Sequence, residues 1–112
     1  MIISRYTCDG LGIFRNLMLQ FNKADMSAMD EQELYDAMDE FERYMPVPDV
    51  CVDKNVETTS WFTEYGEKVF REALETLSFY VERCFGEEIK VERRELPDDY
   101  LYKDEYQVVL TA

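Results

Sequence analysis

The sequence predicts a single α+β domain spanning 1–112, in which three helices pack on one face of a small, mostly antiparallel sheet of three to four strands. Apolar residues alternate with polar ones near both ends of the chain, as in strands. Between the ends they recur every three or four residues, as in amphipathic helices. A chain of 112 residues has room for one domain rather than two. The predicted element order is β-α-α-(β)-α-β-β, and laying the helices on one face of the sheet is its economical packing.

The first half of the chain predicts one strand and two helices. Residues 2–8 alternate and are rich in β-branched and aromatic side chains, which is typical of a strand. Apolar residues at helical spacing over 11–21 predict a short amphipathic helix. Ser27 is suited to cap the second helix, because its hydroxyl can accept the free amide of Asp30. That helix is expected to end at the prolines of 46–48.

The second half predicts a long helix between strands. Alternation over 49–53 is compatible with a brief edge strand. A helix is expected from about 63 to 85, where Gly86 can end it in the left-handed conformation. Alternation over 89–92 and 106–111 predicts two C-terminal strands. The predicted core stripe of the long helix consists of Phe70, Ala73, Leu74, Leu77, Val81 and Cys84.

Composition narrows the classes of function. With 46% hydrophobic residues the chain can bury a core, so we expect it to be folded. Its 12 basic and 25 acidic residues give a net charge of −13, which repels nucleic acid and anionic membranes and suits a basic protein partner. The chain has no histidine, which excludes Ser-His-Asp and Cys-His catalysis and His-ligated zinc.

Location is inferred from apolar runs and cysteines. The start of the chain lacks the apolar region of a signal peptide, and no apolar run is long enough to cross a membrane. Cys8, Cys51 and Cys84 are odd in number and follow no disulfide pattern, which fits buried thiols in a reducing compartment. We therefore expect a cytoplasmic protein.

The negative charge is concentrated on the second predicted helix and the loop after it, since eleven acidic and two basic residues lie between 25 and 57. Helical geometry places Glu33, Asp36, Asp39 and Glu40 opposite the apolar stripe, with neighbours about 5–6 Å apart. This spacing is comparable with that of phosphates along a nucleic-acid strand. A solvated helix face is the alternative interpretation, but each like-charge pair costs about 0.2–0.5 kcal/mol, which favours partner binding. The rim of this face consists of Asp30, Glu31 and Glu42.

Aromatic residues outside the predicted core are candidate anchors for a partner. Phe79 falls among charged residues and away from the core stripe of the long helix. Tyr100 and Tyr102 stand among acidic residues beside a turn. Exposed aromatic side chains often carry the binding energy of an interface. The alternatives are that the loop around Trp61 buries Phe79 and that the tyrosines pack against the sheet edge.

Three patterns that resemble catalytic or metal sites are incomplete. Asp49, Cys51 and Asp53 have no further ligand at metal-site spacing, so a solvent-facing strand edge explains them better. Cys8 has no histidine to activate it, and the glycines of 10–12 lack the lysine of a phosphate-binding loop. We therefore expect no enzymatic activity, no metal and no cofactor.

Two short stretches resemble a known group of proteins. Phe62-Thr63-Glu64-Tyr65-Gly66 opens the long helix, and Leu101-Tyr102-Lys103-Asp104-Glu105-Tyr106-Gln107-Val108 lies near the C-terminus. Both resemble small acidic proteins encoded by phages and mobile elements of Firmicutes. In that setting, small acidic proteins without catalytic residues are often anti-CRISPR or anti-restriction inhibitors. The resemblance carries over no catalytic residue.

Two functional hypotheses follow. In the first, the protein is a non-enzymatic inhibitor of the anti-CRISPR type, whose acidic face mimics phosphates and occupies the basic nucleic-acid-binding site of a host defence nuclease such as a CRISPR effector. In the second, it is an acidic adaptor that binds another basic protein, or forms a homodimer, through an aromatic surface. Both require a protein partner and neither requires direct binding of nucleic acid or membrane.

Overall fold

The computed structural model describes residues 1–8, 11–13, 27–53, 55–84, 86 and 88–112. Within them, helices and a six-stranded sheet form an α+β fold in which every strand pairing is antiparallel, which confirms the predicted class with more strands than expected. The strands are β1 (Ile2–Cys8), β2 (Leu11–Gly12), β3 (Thr58–Phe62), β4 (Ile89–Glu95), β5 (Tyr102–Lys103) and β6 (Gln107–Thr111). The helices are α1 (Ala28–Tyr44), α2 (Asp49–Val52), α3 (Glu64–Val69) and α4 (Arg71–Cys84).

Strand β1 organises the sheet. It pairs with β4 over its whole length, from Ile2 opposite Glu95 to Cys8 opposite Ile89. A strand has only two edges, so β3 and β2 share the other edge of β1. β3 pairs there at one residue, Ser4 opposite Phe62, and then continues the sheet through β6 to β5. β4 and β5 therefore lie at opposite ends of the sheet.

The core lies mainly between the helices and one face of the sheet. Leu34 and Phe41 of α1 meet Leu77 and Phe70, and all four pack with Phe62 from the sheet. The rings of Phe41 and Phe70 stack with their centroids 4.8 Å apart. A smaller cluster lies on the opposite face of the sheet and consists of Ile3, Trp61, Val108 and Leu110, covered in part by Leu96. β6 contributes to both faces because it is an interior strand, and its first four residues are buried.

Local signals for α1 and for the end of α4 are confirmed. The Ser27 hydroxyl accepts the amide of Asp30 at 3.1 Å, so α1 begins with the predicted cap. Gly86 has a φ of 68°, the left-handed conformation expected for the residue that ends the long helix. The predicted core stripe from Phe70 to Val81 is buried, while the side chain of Cys84 lies outside the description.

Three predictions about secondary-structure elements are wrong. Leu11 and Gly12 form β2 against the end of β1 rather than starting a helix; residues 14–21 of that predicted helix lie outside the described residues. The expected edge strand at 49–53 is a single helical turn, α2, which follows Pro48, and the strand of this region is β3. The long helix is divided at Phe70, whose φ of −96° and ψ of 16° separate α3 from α4.

A close contact between α3 and the segment before β6 joins the helix layer to the sheet. The Thr63 hydroxyl caps α3 by accepting the Gly66 amide at 3.0 Å, and it donates to the Glu105 carbonyl at 2.6 Å. The Thr63 amide also donates to the Tyr106 carbonyl at 3.0 Å. Gly66 lies so near that carbonyl that a Cβ atom would overlap it. We call this contact of Thr63 and Gly66 with residues 105–106 the α3 joint.

Replacing Gly66 with alanine tests the α3 joint. Alanine normally stabilises a helix relative to glycine by about 1 kcal/mol. Here we expect the opposite sign, a loss of roughly 3 kcal/mol in the free energy of unfolding, because the methyl group displaces the Tyr106 backbone. Urea denaturation measures the change. Gly12→Ala is the control, since its Cβ would meet only the flexible Arg5 side chain at 3.9 Å. Equal stabilities for the two variants would contradict the joint.

Candidate protein-binding surface

The predicted acidic face lies on the outer side of α1. Leu34, Ala37 and Phe41 turn inward to the core, so the opposite side of the helix faces solvent. We call Glu33, Asp36, Asp39 and Glu40 the acidic ridge. Glu33, Asp36 and Asp39 are exposed, and Glu40 is half-buried. Among the rim residues, Glu31 and Glu42 are exposed and Asp30 is half-buried.

The acids of α1 are not equivalent, because Tyr80 of α4 engages two of them. The Tyr80 hydroxyl is placed 2.6 Å from Glu33 Oε2 and 3.2 Å from Asp30 Oδ1, so its proton is shared between two carboxylates. The hydrogen bond to Glu33, with desolvation, raises the pKa of Tyr80 above its ordinary value. Asp30 and Glu33 therefore brace α1 against α4, a role the helical pattern did not reveal.

The middle of the ridge has a different environment. Asp36 accepts a hydrogen bond from Gln32 Nε2 at 2.9 Å, within the same exposed helix face. Asp39 is exposed one turn further along, and Arg43 adds one positive charge in the last turn. Asp36, Asp39 and Glu40 are thus the part of the ridge best placed to meet a partner's cations.

The predicted aromatic anchors lie on separate parts of the surface. Phe79 is 49% exposed on α4, where the Arg83 guanidinium stacks over its ring at 5.3 Å. Tyr100 is exposed beside β5, at the opposite end of the sheet from β4. Tyr102 is half-buried, and its hydroxyl donates to Asp104 at 2.8 Å. The structure therefore does not bring Phe79 together with Tyr100 and Tyr102.

Asp104 shapes the turn that carries these tyrosines. Its carboxylate accepts the amides of Tyr106 and Gln107 at 2.8 and 2.9 Å and the Tyr102 hydroxyl. Burial alone would raise the pKa of this carboxyl, but the hydrogen bonds outweigh it and hold the pKa below its ordinary value. Asp104 and Tyr102 are thus parts of a turn, and Tyr100 is the more accessible of the predicted tyrosines.

A groove beside Phe79 is the main surface feature that sequence reasoning missed. It has a volume of about 810 Å³ and is bounded by α3, α4 and Tyr6 of β1. We call it the α4 groove. In the sequence, this groove was indicated by the position of Phe79 away from the core stripe of the long helix. Its residues are Tyr6, Glu64, Glu67, Lys68, Arg71, Leu74, Glu75, Ser78, Phe79 and Glu82.

Two residues that line the α4 groove, Tyr6 and Glu67, belong to a charged network with Arg93. Arg93 of β4 donates to both carboxylate oxygens of Glu67, at 2.9 and 3.1 Å, and the Tyr6 hydroxyl donates to Oε1 at 2.7 Å. The bonds from Arg93, more than those from Tyr6, hold the pKa of Glu67 below its ordinary value. Burial and the bond to Glu67 raise the pKa of Tyr6 to about 12. At neutral pH this network ties β4 to α3.

Glu67→Gln tests the network through pH. The pKa of Glu67 is lowered on folding, so its contribution to stability is complete above the ordinary value of 4.5 and is lost as pH falls through the lower, folded-state pKa. We expect the variant to be less stable by about 1 kcal/mol at neutral pH, since Arg93 is largely exposed. Urea denaturation should show this difference narrowing below pH 4.5. The exposed Glu64→Gln serves as control, and a pH-independent difference for Glu67→Gln would contradict the network.

Tyr80→Phe tests the brace between α1 and α4. The variant keeps the ring but leaves Glu33 and Asp30 without their shared donor, so we expect a lower Tm. Adding Glu33→Gln to Tyr80→Phe should cost less than Glu33→Gln costs alone, because the two residues act as a pair. Thermal unfolding of the four proteins of this double-mutant cycle measures the coupling. Additive effects would show that the hydrogen bond contributes nothing to stability.

Comparison of the chain with protein-family models, with curated proteins and with solved structures finds no match. Within the described parts of the chain, no helix is long and apolar enough to cross a membrane. In those same ranges no group of three or more Cys, Asp and Glu side chains is arranged to hold a metal ion.

Proposed function

We propose that the protein is a non-enzymatic inhibitor of the anti-CRISPR type. Its acidic ridge would occupy the basic nucleic-acid-binding site of a host defence nuclease, such as a CRISPR effector. The observation that carries the proposal is the row of Asp36, Asp39 and the half-buried Glu40 on a helix whose other side is fixed in the core. Carboxylates spaced about 5–6 Å apart can meet lysine and arginine side chains arranged to hold a phosphate backbone.

Rigidity supports this role. α1 is capped by Ser27, anchored by Leu34 and Phe41, and braced to α4 through Glu33 and Tyr80. The backbone that carries its acidic side chains is therefore already ordered, which reduces the conformational entropy lost on binding. The net charge of −13 attracts a basic site from a distance and speeds association.

Reversing the charge of the ridge tests the proposal. We expect Asp36→Lys/Asp39→Lys/Glu40→Lys to associate roughly 10–1,000-fold more slowly with its target, because it loses the attraction and gains repulsion. The target is first recovered from a host lysate with the tagged wild-type protein at low salt, and its DNA binding is then measured with each variant present. Wild-type binding should weaken steeply as salt rises.

The matched control is Glu92→Lys/Asp98→Lys/Asp99→Lys, which changes the net charge equally at exposed positions outside α1. The ridge variant should lose inhibition and the control should keep most of it. Equal loss would show that only total charge matters. Inhibition unaffected by the ridge variant would overturn the proposal.

The exposure of Phe79 beside a groove favours a second candidate function, an acidic adaptor that binds another basic protein or a second copy of this chain through an aromatic surface. The two candidates differ in what they tolerate. An adaptor of this kind would still bind its partner in the charge-reversed ridge variant and would lose it in Phe79→Asp. The inhibitor would lose its target in the ridge variant and keep it in Phe79→Asp.

A further inference from the structure

The α4 groove and the acidic ridge lie on different flanks of the helix layer. Tyr80 turns from α4 toward α1, where it meets Glu33, whereas the preceding residue, Phe79, lines the groove. Consecutive residues of a helix point about 100° apart, so the groove faces away from the contact between α1 and α4. An inference about the groove is therefore independent of the inhibitor function; it rests on the second candidate function and specifies the chemistry of the partner.

The groove exposes apolar surface because the helices leave part of the sheet uncovered. Val91 of β4 pairs with Tyr6 of β1, and directly opposed residues point to the same face of a sheet. Tyr6 contacts Phe62 and Glu67 on the helix side, so Val91 also lies on that side. Val91 is nevertheless 43% exposed, and Phe79, which lines the groove on α4, is 49% exposed. Leu74 also lines the groove but is only 3% exposed, so the accessible apolar surface is that of Phe79 in the groove and of Val91 on β4.

The charges around this apolar surface are arranged unevenly. Glu75 and Glu82 lie about one helical turn before and after Phe79, and both are exposed. Toward α3, Glu64 is accompanied by Lys68 and Arg71. Glu67 does not add free charge there, because Arg93 pairs with it. The Phe79 end of the groove is therefore apolar with two carboxylates at its rim, although Arg83 stacks on the same ring.

We propose that the α4 groove binds a basic amphipathic helix of a partner protein. Apolar residues of that helix would pack on Phe79 and Val91, and its lysine or arginine residues would meet Glu75 and Glu82. Helices that insert an apolar face into such grooves are a common mode of peptide recognition. Charge complementarity selects a basic occupant. A second copy of this chain is disfavoured, since each copy carries a net charge of −13.

Two synthetic peptides provide the probe. Each is a helix of about five turns with leucine and phenylalanine at helical spacing on one face, and its other face carries either lysine or glutamate. Fluorescence anisotropy at physiological salt measures binding to the full chain. We expect the lysine peptide to bind and the glutamate peptide not to bind. Backbone amide shifts in the labelled protein should localise the change to Tyr6, Leu74 and Val91. Binding of both peptides alike would overturn the charge argument.

Two matched double variants distinguish binding of the peptide at the groove from its non-specific electrostatic attraction to an acidic protein. Phe79→Ser/Glu82→Lys alters the groove. Its control, Val47→Ser/Asp49→Lys, makes the same change in net charge and also replaces an apolar side chain with serine, at two exposed positions outside the groove and the acidic ridge. We expect the groove variant to bind the lysine peptide roughly tenfold more weakly and the control variant to bind within about twofold of wild type. Equal losses would overturn the proposal, because they would assign binding to net charge.

Folding and self-association are checked on the same proteins. Circular dichroism verifies the fold of each variant, and Glu75→Lys/Glu82→Lys, which changes exposed side chains only, replaces the groove variant if that one unfolds. Sedimentation that shows a wild-type dimer lost in Phe79→Ser/Glu82→Lys would make a second copy the occupant and overturn the proposal. Peptide binding that survives reversal of the acidic ridge supports the groove whether or not the inhibitor function holds.

Discussion

The α3 joint is the contact on which the described architecture depends. Thr63 uses its amide and hydroxyl to hold the carbonyls of Tyr106 and Glu105, and the missing side chain of Gly66 allows the close approach. The joint fixes α3 over the sheet, so Glu67 reaches Tyr6 and Arg93. It also sets where α4 begins, one residue after the break at Phe70. The α4 groove is a consequence of that placement.

The joint also brings together two short motifs of the sequence. Residues 62–66 and 101–108 are far apart in the chain but meet here, and the rings of Tyr65 and Tyr106 stack with centroids 5.6 Å apart. Asp104 supports the same place by accepting the amides of Tyr106 and Gln107. Within this fold the two motifs hold the helices to the sheet, so the functional proposal rests on other surfaces.

Acidic residues serve two physical roles in this protein. Glu67 and Asp104 are enclosed by donors, and Glu33 with Asp30 shares the Tyr80 hydroxyl, so these carboxylates stabilise contacts between elements. Asp36 and Asp39, and Glu75 and Glu82 on α4, remain exposed. The exposed group creates a negative field on two flanks of the helix layer, and that field supports the proposed binding of basic partners. Net charge alone does not distinguish the two roles.

The sequence by itself determined the features that depend on neighbours along the chain. The spacing of apolar residues determined which side of α1 and of α4 faces the core. The side chain of Ser27 determined where α1 begins, and the conformational freedom of Gly86 determined where α4 ends. Only the tertiary structure decided β2, the helical turn of α2 and the break at Phe70, because strand pairing and packing between distant residues override short local patterns. For the same reason, the hydrogen bond between Tyr80 and Glu33, which are 47 residues apart, followed from the fold alone, as did the exposure of Val91 on the helix side of the sheet.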